Sequence, residues 1–151
     1  MRIRKIQLDS SLKGLGYAHG LQITQCGGGT VPVERAGEAP LLALRSGPVS
    51  GVTGGMFLAA AMGEKNVITT DMGGTSFDAS IIHQGKPAYS FISNTDQYEY
   101  FLPKVDLQAI GAGGGRLARV DAERRTLTVG PDSAGAFPGP VCYGRGGTVP
   151  T

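Results

Sequence analysis

Residues 68–78 of the chain read ITTDMGGTSFD, and this segment constrains the fold more than any other. A short apolar run ends in an acid, and a Gly-Gly pair separates it from a second run that contains another acid. Such runs, when bounded by turn residues, are typical of β-strands, and Gly-Gly suits the positive φ angles of a tight turn. The segment therefore predicts a β-hairpin that turns at Gly73 and Gly74.

The predicted hairpin places two carboxylates on one face. If the strands pair around the Gly-Gly turn, residue 71 faces residue 76 and residue 69 faces residue 78. Asp71 and Asp78 then lie diagonally across the hairpin, with Cα atoms roughly 7–8 Å apart. Like charges at that separation repel unless a cation or water lies between them.

Two interpretations of this face stay open on the residues alone. Mg²⁺ prefers carboxylate, water and phosphate oxygens, and the N–H groups of a turn without side chains can face a phosphate. Thr75 and Ser76 would add hydroxyl donors, which gives a phosphate-binding hairpin. The alternative is a solvent-exposed hairpin with a polar face and a common turn.

The remaining sequence predicts a mixed α/β domain. The sequence predicts a helix over Gly47–Met62, with Ser46 as its N-cap and Gly63 as its stop. Residues 66–92 predict an antiparallel strand meander, and residues 93–104 look irregular. The other expected elements are a helix over Leu8–Gly16, a strand at 21–25, a short helix or turn at 33–40, and a hairpin around residues 121–125. The last twenty residues show no periodicity.

Glycine is the compositional outlier, with 25 of 151 residues, and it occurs in clusters. The glycines at 47, 51, 54 and 55 share one helix face, which favours close packing on a strand or a ligand at the helix start. The segment IGAGGG either lets a nucleotide approach the backbone or forms a tight turn. It is not a dinucleotide-binding fingerprint, because Arg116 replaces the last glycine and a strand pattern follows.

Charge and apolar patterning exclude several classes of protein. The net charge of +2 is too small to indicate nucleic-acid binding, and the longest apolar stretch, MFLAAAM, is too short to cross a membrane. Cys26 and Cys142 match no metal-ligand spacing, so we expect reduced thiols in a cytoplasmic protein, with Cys142 packed.

Five motifs in one order resemble the hydantoinase A / 5-oxoprolinase family, which includes the ATP-binding subunits of acetone and acetophenone carboxylases. They are SGPVSGV, DMGGTSFD, IGAGGG, VGPDSAGAFPGPVCYGRGG and TVPT. The resemblance implies a ribonuclease-H-like lobe of an actin-like ATPase, a fold related to sugar kinases and heat-shock chaperones. The chain would be a single partial domain, residues 1–151, from the central, second-lobe segment of a longer protein. The first-lobe hairpin that normally completes the fold has no counterpart here.

The resemblance also implies roles for individual residues. Asp71 would hold Mg²⁺, through water, and Asp78 would orient Thr75 or a water. ATP phosphates would lie on the hairpin and the nucleotide near the later glycine loop. The phosphate and nucleotide residues would be Gly73, Gly74, Thr75, Ser76, Gly111, Gly113 and Gly114. Departures from the family pattern occur at Gly27, Phe77, Gln108, Ala109 and Arg116.

The implied reaction is ATP-dependent opening of a cyclic amide such as a hydantoin or 5-oxoproline. Two alternatives stay open: the ATP-binding subunit of an acetone-type carboxylase, or an inactive nucleotide-binding fragment. The implied partners are the nucleotide, the cyclic amide, and the missing first lobe or a hydantoinase B-type subunit. We expect the chain alone to lack appreciable ATP turnover.

Overall fold

The computed structural model describes residues 2–95 and 97–151 and has the predicted mixed α/β composition. It divides into two compact units, Met1–Thr69 with Ser80–Leu107 and Thr70–Ala79 with Gln108–Thr151. In chain order the elements are α1 (Arg2–Gly14), β1 (Gln22–Thr24), β2 (Thr30–Pro32), α2 (Val33–Glu38), a 3₁₀ turn (Pro40–Ala43), α3 (Ser46–Met62), β3 (Val67–Met72), β4 (Phe77–His83), β5 (Lys86–Pro87), β6 (Tyr89–Thr95), β7 (Tyr98–Val105), β8 (Gln108–Ile110), β9 (Arg116–Asp121), β10 (Thr126–Ser133) and a second 3₁₀ turn (Val141–Tyr143).

Helix α1 begins earlier than the predicted Leu8. Asp9 ties this helix to the chain that follows it, because its Oδ1 accepts the Leu21 N–H at 3.0 Å. Its Oδ2 lies 2.7 Å from Lys13 Nζ. The hydrogen bonds from Lys13 and from the Leu21 backbone lower the pKa of Asp9.

Helix α3 provides one side of the core of the first unit. Val49 and Val52 pack with strand residues that include Ile82 and Val105. The predicted stop is confirmed, since Gly63 has φ +74° and its N–H donates to the carbonyls of the last turn. The predicted N-cap is wrong.

At the start of α3, Arg45 takes the cap position, with φ +54°. The Val49 N–H donates to the Arg45 carbonyl at 3.2 Å. This first helical hydrogen bond spans Ser46, which is therefore the first residue of the helix and not its cap. The Ser46 carbonyl accepts the Ser50 hydroxyl at 2.8 Å.

The glycine face of α3 contains two different environments. At Gly55 an added Cβ would lie 2.6 Å from Thr69 Cγ2, so this glycine permits close packing on β3. At Gly47, Gly51 and Gly54 an added Cβ would meet nothing within 4 Å. The expectation of close packing is therefore met at one of the four positions, and the rest of the face is open in this unit.

The strand meander is confirmed as far as β5. Strands β3 and β4 are neighbours, and β5 pairs antiparallel with β4, with His83 opposite Lys86. The second turn lies at Gln84 and Gly85, whose φ angles of +51° and +75° match a two-residue hairpin turn. Strand β6 then pairs with β7 rather than continuing the meander.

The prediction of irregular structure over residues 93–104 is wrong, apart from Asp96, which lies outside the described residues. Tyr98–Val105 is strand β7. The sequence pattern does not predict this strand because it contains Pro103, and proline lacks the N–H that pairs with a neighbouring strand. Here the register shifts between the Ser90–Lys104 and Ile92–Phe101 pairs, so Pro103 lies at a bulge, where a missing N–H is tolerated.

The second unit contains two strand pairings. Phe77–Ala79 of β4 pairs antiparallel with β8, and β9 pairs with β10 as predicted. The strand predicted after the glycine loop is confirmed, since β9 follows the loop where a Rossmann-type fingerprint requires a helix. After Ser133 the regular structure is one 3₁₀ turn, Val141–Tyr143, which agrees with the lack of periodicity. Across the described residues, helices are too short or too polar to span a bilayer.

Candidate phosphate-binding site

The hairpin turn lies one residue further along the chain than predicted. The Gly73 N–H donates to the Ser76 carbonyl at 3.0 Å, which places Gly74 and Thr75 at the tip. Neither Gly73 nor Gly74 has a φ in the left-handed region, so the expected positive φ angles are also wrong.

The shifted turn changes how the two acids oppose each other. A regular antiparallel ladder that continues from the Gly73–Ser76 bond pairs Asp71 with Asp78. The two carboxylates are then direct cross-strand neighbours, with Cα atoms about 5.5 Å apart, instead of diagonal ones. Like charges directly opposite each other are destabilising, so the corrected register increases the need for a cation or for solvation.

The two acids have different surroundings. Asp71 is exposed, whereas Asp78 is half-buried and its Oδ2 accepts a hydrogen bond from the Ser76 hydroxyl at 3.0 Å. The family resemblance predicts that Asp78 orients Thr75 or a water. In the structure the side chain that it holds is Ser76, and the Thr75 side chain is exposed at the tip.

The glycine loop after β8 packs directly on the hairpin tip. The Gly114 N–H donates to the Gly73 carbonyl at 2.9 Å, and the Gly115 N–H donates to the Gly74 carbonyl at 2.8 Å. An added Cβ at Gly113 would lie 2.5 Å from the Thr75 carbonyl carbon and 2.6 Å from the Ser76 nitrogen. No side chain fits there, because two backbones are in contact.

This contact gives the clustered glycines separate roles. Gly113 and Gly115 are buried against the hairpin, so their lack of a side chain is explained by the hairpin itself. Gly111 and Gly114 are exposed, and an added Cβ at Gly111 would meet nothing within 4 Å. The predicted phosphate and nucleotide residues are thus brought together, although Gly113 faces protein.

Arg116 links the hairpin tip to β10, which the sequence pattern does not predict. Its Nε donates to the Thr75 carbonyl at 3.1 Å, and its Nη1 donates to the Pro131 carbonyl. The Thr75 carbonyl belongs to the same peptide group as the Ser76 N–H, so a cation on the oxygen polarises that N–H as a donor. The only signal in the sequence was the arginine that replaces glycine in GAGGGR.

A cavity of about 360 Å³ opens beside the hairpin tip. The tip contributes Gly74 and Thr75, and the carboxy-terminal loop contributes Tyr143 and Arg145. Cys142, in the same loop, is exposed, so the expectation of a packed thiol is wrong there. The buried thiol is Cys26, and burial raises its pKa.

The oxygen donors of the hairpin suit Mg²⁺ only together with a phosphate. Among the described residues, no three His, Cys, Asp or Glu side chains form a group that could enclose a metal ion. Mg²⁺ is usually held by one or two carboxylates, with waters and substrate phosphates completing six ligands. Asp71 at the exposed face fits that pattern.

Comparisons with known proteins agree with the resemblance seen in the sequence. A family model described as Hydantoinase/oxoprolinase matches residues 1–151. The chain is 41% identical, over 96% of its length, to the caprolactamase subunit alpha of Pseudomonas jessenii. It is 36% identical, over 93% of its length, to the acetophenone carboxylase gamma subunit of Aromatoleum aromaticum. The chain spans 21% and 19% of those two relatives, about a fifth of each.

Two solved structures share the fold. A nucleotide-free structure of acetone carboxylase, described in terms of ATP-dependent acetone carboxylation, covers 99% of the chain with a TM-score of 0.77 and 32% identity. The ATP-dependent caprolactamase of Pseudomonas jessenii covers 98% of the chain with a TM-score of 0.74 and 39% identity. In each case the chain matches 21% of the solved protein.

Proposed function

Because the chain belongs to the hydantoinase/oxoprolinase family, we propose that it contributes the second phosphate-binding hairpin of an ATP-dependent enzyme with an actin-like fold. In this proposal the chain is the ribonuclease-H-like second-lobe segment of that fold. Support comes from the relatives, two of whose structures are described by ATP-dependent reactions. The observation that carries the proposal is the contact between hairpin tip and glycine loop, which brings every predicted phosphate and nucleotide residue into one region.

The tip residues have separate tasks. Gly74 and Thr75 are exposed and present N–H groups and a hydroxyl to the phosphates. The Gly73 N–H closes the turn, so Gly73 acts by shaping the tip. The Ser76 hydroxyl bonds to Asp78, which positions the start of β4. Asp71 holds Mg²⁺ through water, and Gly111 and Gly114 lie open beside the nucleotide.

The whole protein would use ATP to open a cyclic amide. The γ-phosphoryl group passes to the amide oxygen and ADP leaves, so the carbonyl carbon becomes open to attack by water. That water adds to the carbon and the C–N bond breaks, which frees the amine and leaves an acyl phosphate. A second water then hydrolyses the acyl phosphate to a carboxylate and inorganic phosphate. The caprolactamase relative, at 41% identity, favours a cyclic amide as the substrate. Catalysis of this kind depends on positioning and on neutralising phosphate charge, which are the tasks that we assign to Asp71 and the tip.

A ketone substrate is the second candidate, with the same ATP site in a carboxylase subunit. It is favoured by the relatives named acetophenone carboxylase gamma subunit, at 36% identity, and acetone carboxylase beta subunit, at 33%. Their names, like that of caprolactamase subunit alpha, indicate assembly with other subunits. We therefore propose a partner subunit or a further lobe that completes the site. Phosphate release by the assembled protein, stimulated by a lactam or by acetone with bicarbonate, would separate the two substrates.

The proposal is tested by replacing Asp71 with asparagine. Asp71→Asn removes the negative charge at nearly constant volume, so we expect at least a tenfold loss of Mg²⁺-dependent ATP binding in calorimetric titration. The matched control is Glu123→Gln in the turn between β9 and β10, which should bind as the wild type does. We expect little phosphate release by the chain alone. Equal binding by Asp71→Asn and Glu123→Gln would contradict the assignment of Mg²⁺ to Asp71.

A further inference from the structure

The cavity beside the hairpin tip has a wall that the assignment of the hairpin does not use. That wall is the loop after β10, and its lining residues include Ser133, Tyr143 and Arg145. The opposite wall contains Gly74 and Thr75 of the tip. All of these residues belong to the second unit, so one compact body supplies both walls.

The cavity has an uncompensated positive charge. Arg145 is the charged side chain among the described residues that line it. The ion pairs found in the described chain do not include Arg145. Arg145 is exposed where it lines the cavity, and a guanidinium with no carboxylate beside it attracts an anion.

The loop also places an aromatic ring beside the guanidinium. Arg145 Cζ is 5.6 Å from the centroid of the Tyr143 ring, which is the range of a cation–π contact. Gly139 has φ +78°, and an added Cβ there would lie 2.9 Å from Tyr143 Cδ2. The ring is therefore packed closely on the loop backbone, and it supports the arginine beside the cavity.

The neutral donors divide into bound and open groups. The Ser133 hydroxyl is already used, since it donates to the Gly115 carbonyl and accepts the Gly135 N–H, each at 3.1 Å. Gly74 and Thr75 at the tip are exposed, and the turn and loop hydrogen bonds of the described residues leave their N–H groups without a backbone acceptor. These donors belong to residues that line the same cavity as Arg145.

We propose that Arg145 and the hairpin tip together form a binding site for a phosphoryl group. The planar guanidinium can donate two parallel hydrogen bonds to phosphate oxygens, and the tip adds backbone N–H donors. The inference rests on the proposed function in one respect, namely that the hairpin is a phosphate site. It adds a cationic residue from a different loop. The phosphoryl group belongs either to the nucleotide or to free phosphate, and the test below separates the two.

The test measures binding of inorganic phosphate without Mg²⁺, and of Mg-ATP, by calorimetry. Three variants are compared with the wild type: Arg145→Gln, Arg145→Lys and the control Arg124→Gln, whose side chain is 83% exposed in the β9–β10 turn. Circular dichroism checks that each variant is folded. We expect Arg145→Gln to bind phosphate at least tenfold more weakly, Arg145→Lys to bind with intermediate affinity, and Arg124→Gln to match the wild type.

The outcomes separate this inference from the proposed function. If Mg-ATP binding depends on Asp71 but no ligand distinguishes Arg145→Gln from the wild type, the hairpin assignment stands and the arginine site is wrong. If phosphate binding depends on Arg145 while Mg-ATP does not bind, the arginine site stands alone. Competition between phosphate and Mg-ATP assigns the site to a nucleotide phosphate, and simultaneous binding assigns it to a separate phosphoryl group. Absence of phosphate binding by the folded wild type overturns the inference, as does equal weakening in Arg124→Gln.

Discussion

The contact between the glycine loop and the hairpin tip predicts a large effect from one methyl group. In Gly113→Ala the new Cβ would lie 2.5 Å from the Thr75 carbonyl carbon and 2.6 Å from the nitrogens of Thr75 and Ser76. All three are backbone atoms, so no rotamer change relieves the contact. Either the tip or the loop backbone must move.

The magnitude follows from what that movement disrupts. Overpacking of a close-packed contact costs about 1–3 kcal/mol. Separation of the two backbones also lengthens the bonds from Gly114 N–H to Gly73 and from Gly115 N–H to Gly74, each worth about 1 kcal/mol. A gain of about 0.5 kcal/mol from the stiffer unfolded chain opposes these terms. We therefore expect the free energy of unfolding to fall by about 2 kcal/mol.

Two neighbouring glycines provide the controls. In Gly111→Ala the added Cβ meets nothing within 4 Å, and in Gly114→Ala it lies 3.9 Å from the Gly73 carbonyl oxygen. None of the three glycines has a φ in the left-handed region, so an alanine causes no backbone strain at any of these positions. Both controls should be within about 0.5 kcal/mol of the wild type.

Urea unfolding gives the global effect, and amide hydrogen exchange locates it. If the tip opens locally, the Gly114 and Gly115 N–H groups should exchange about thirtyfold faster in Gly113→Ala, which is the rate change that 2 kcal/mol implies. Exchange in the first unit, for example at Val52, should be unchanged. Equal stability and equal exchange in Gly113→Ala and Gly114→Ala would refute the reasoning.

Three other predictions follow from the described contacts. Asp9 has a lowered pKa, so its contribution to stability is present above its unfolded pKa of about 3.9 and is lost as the pH falls through the folded value. In a plot of the urea unfolding midpoint against pH, Asp9→Asn should therefore reduce the fall at acid pH. An unchanged fall would contradict this. Gly51→Ala should stabilise α3 by about 1 kcal/mol because its Cβ meets open space. Gly55→Ala should not give this gain, because its Cβ would collide with the Thr69 side chain. Thermal unfolding compares the two variants, and an equal gain in both would contradict the packing of Gly55 on Thr69. Native protein should react with a thiol reagent such as Ellman's at exposed Cys142 and not at buried Cys26. Fast labelling of Cys26→Ala but not of Cys142→Ala is expected, and the reverse pattern would contradict the assignment of the exposed thiol to Cys142.

The hairpin could be found from the sequence because its signal is local. Short strand-like runs on either side of Gly-Gly predict two strands and a turn with little room for alternatives, and β3 and β4 lie where this pattern places them. The exact turn was not predictable in this way. It is fixed by the hydrogen bonds that the Gly73 and Gly74 carbonyls accept from residues forty-one positions later, which no local pattern contains.

The missed features depend on tertiary contacts of the same kind. Strand β7 was hidden by Pro103, whose acceptability depends on a bulge against β6. Ser46 has the right chemistry for an N-cap, but Arg45 adopts a positive φ and takes the position instead. Arg116 looked like a defect in a glycine motif, and its partners, the Thr75 and Pro131 carbonyls, lie on two other segments.

The corrected register also bears on why the hairpin has two acids. Directly opposed carboxylates weaken a strand pair, and nothing in the local fold requires an acid at position 71, because Asp71 is exposed and does not cap an element. Asp78 differs, since it holds the Ser76 hydroxyl and so has a structural task. A residue that breaks a local rule without a structural gain is expected at a functional site. This reasoning agrees with the proposal that Asp71 binds a positively charged ligand, so the calorimetry of Asp71→Asn tests the proposed function more directly than any substitution of Asp78 does.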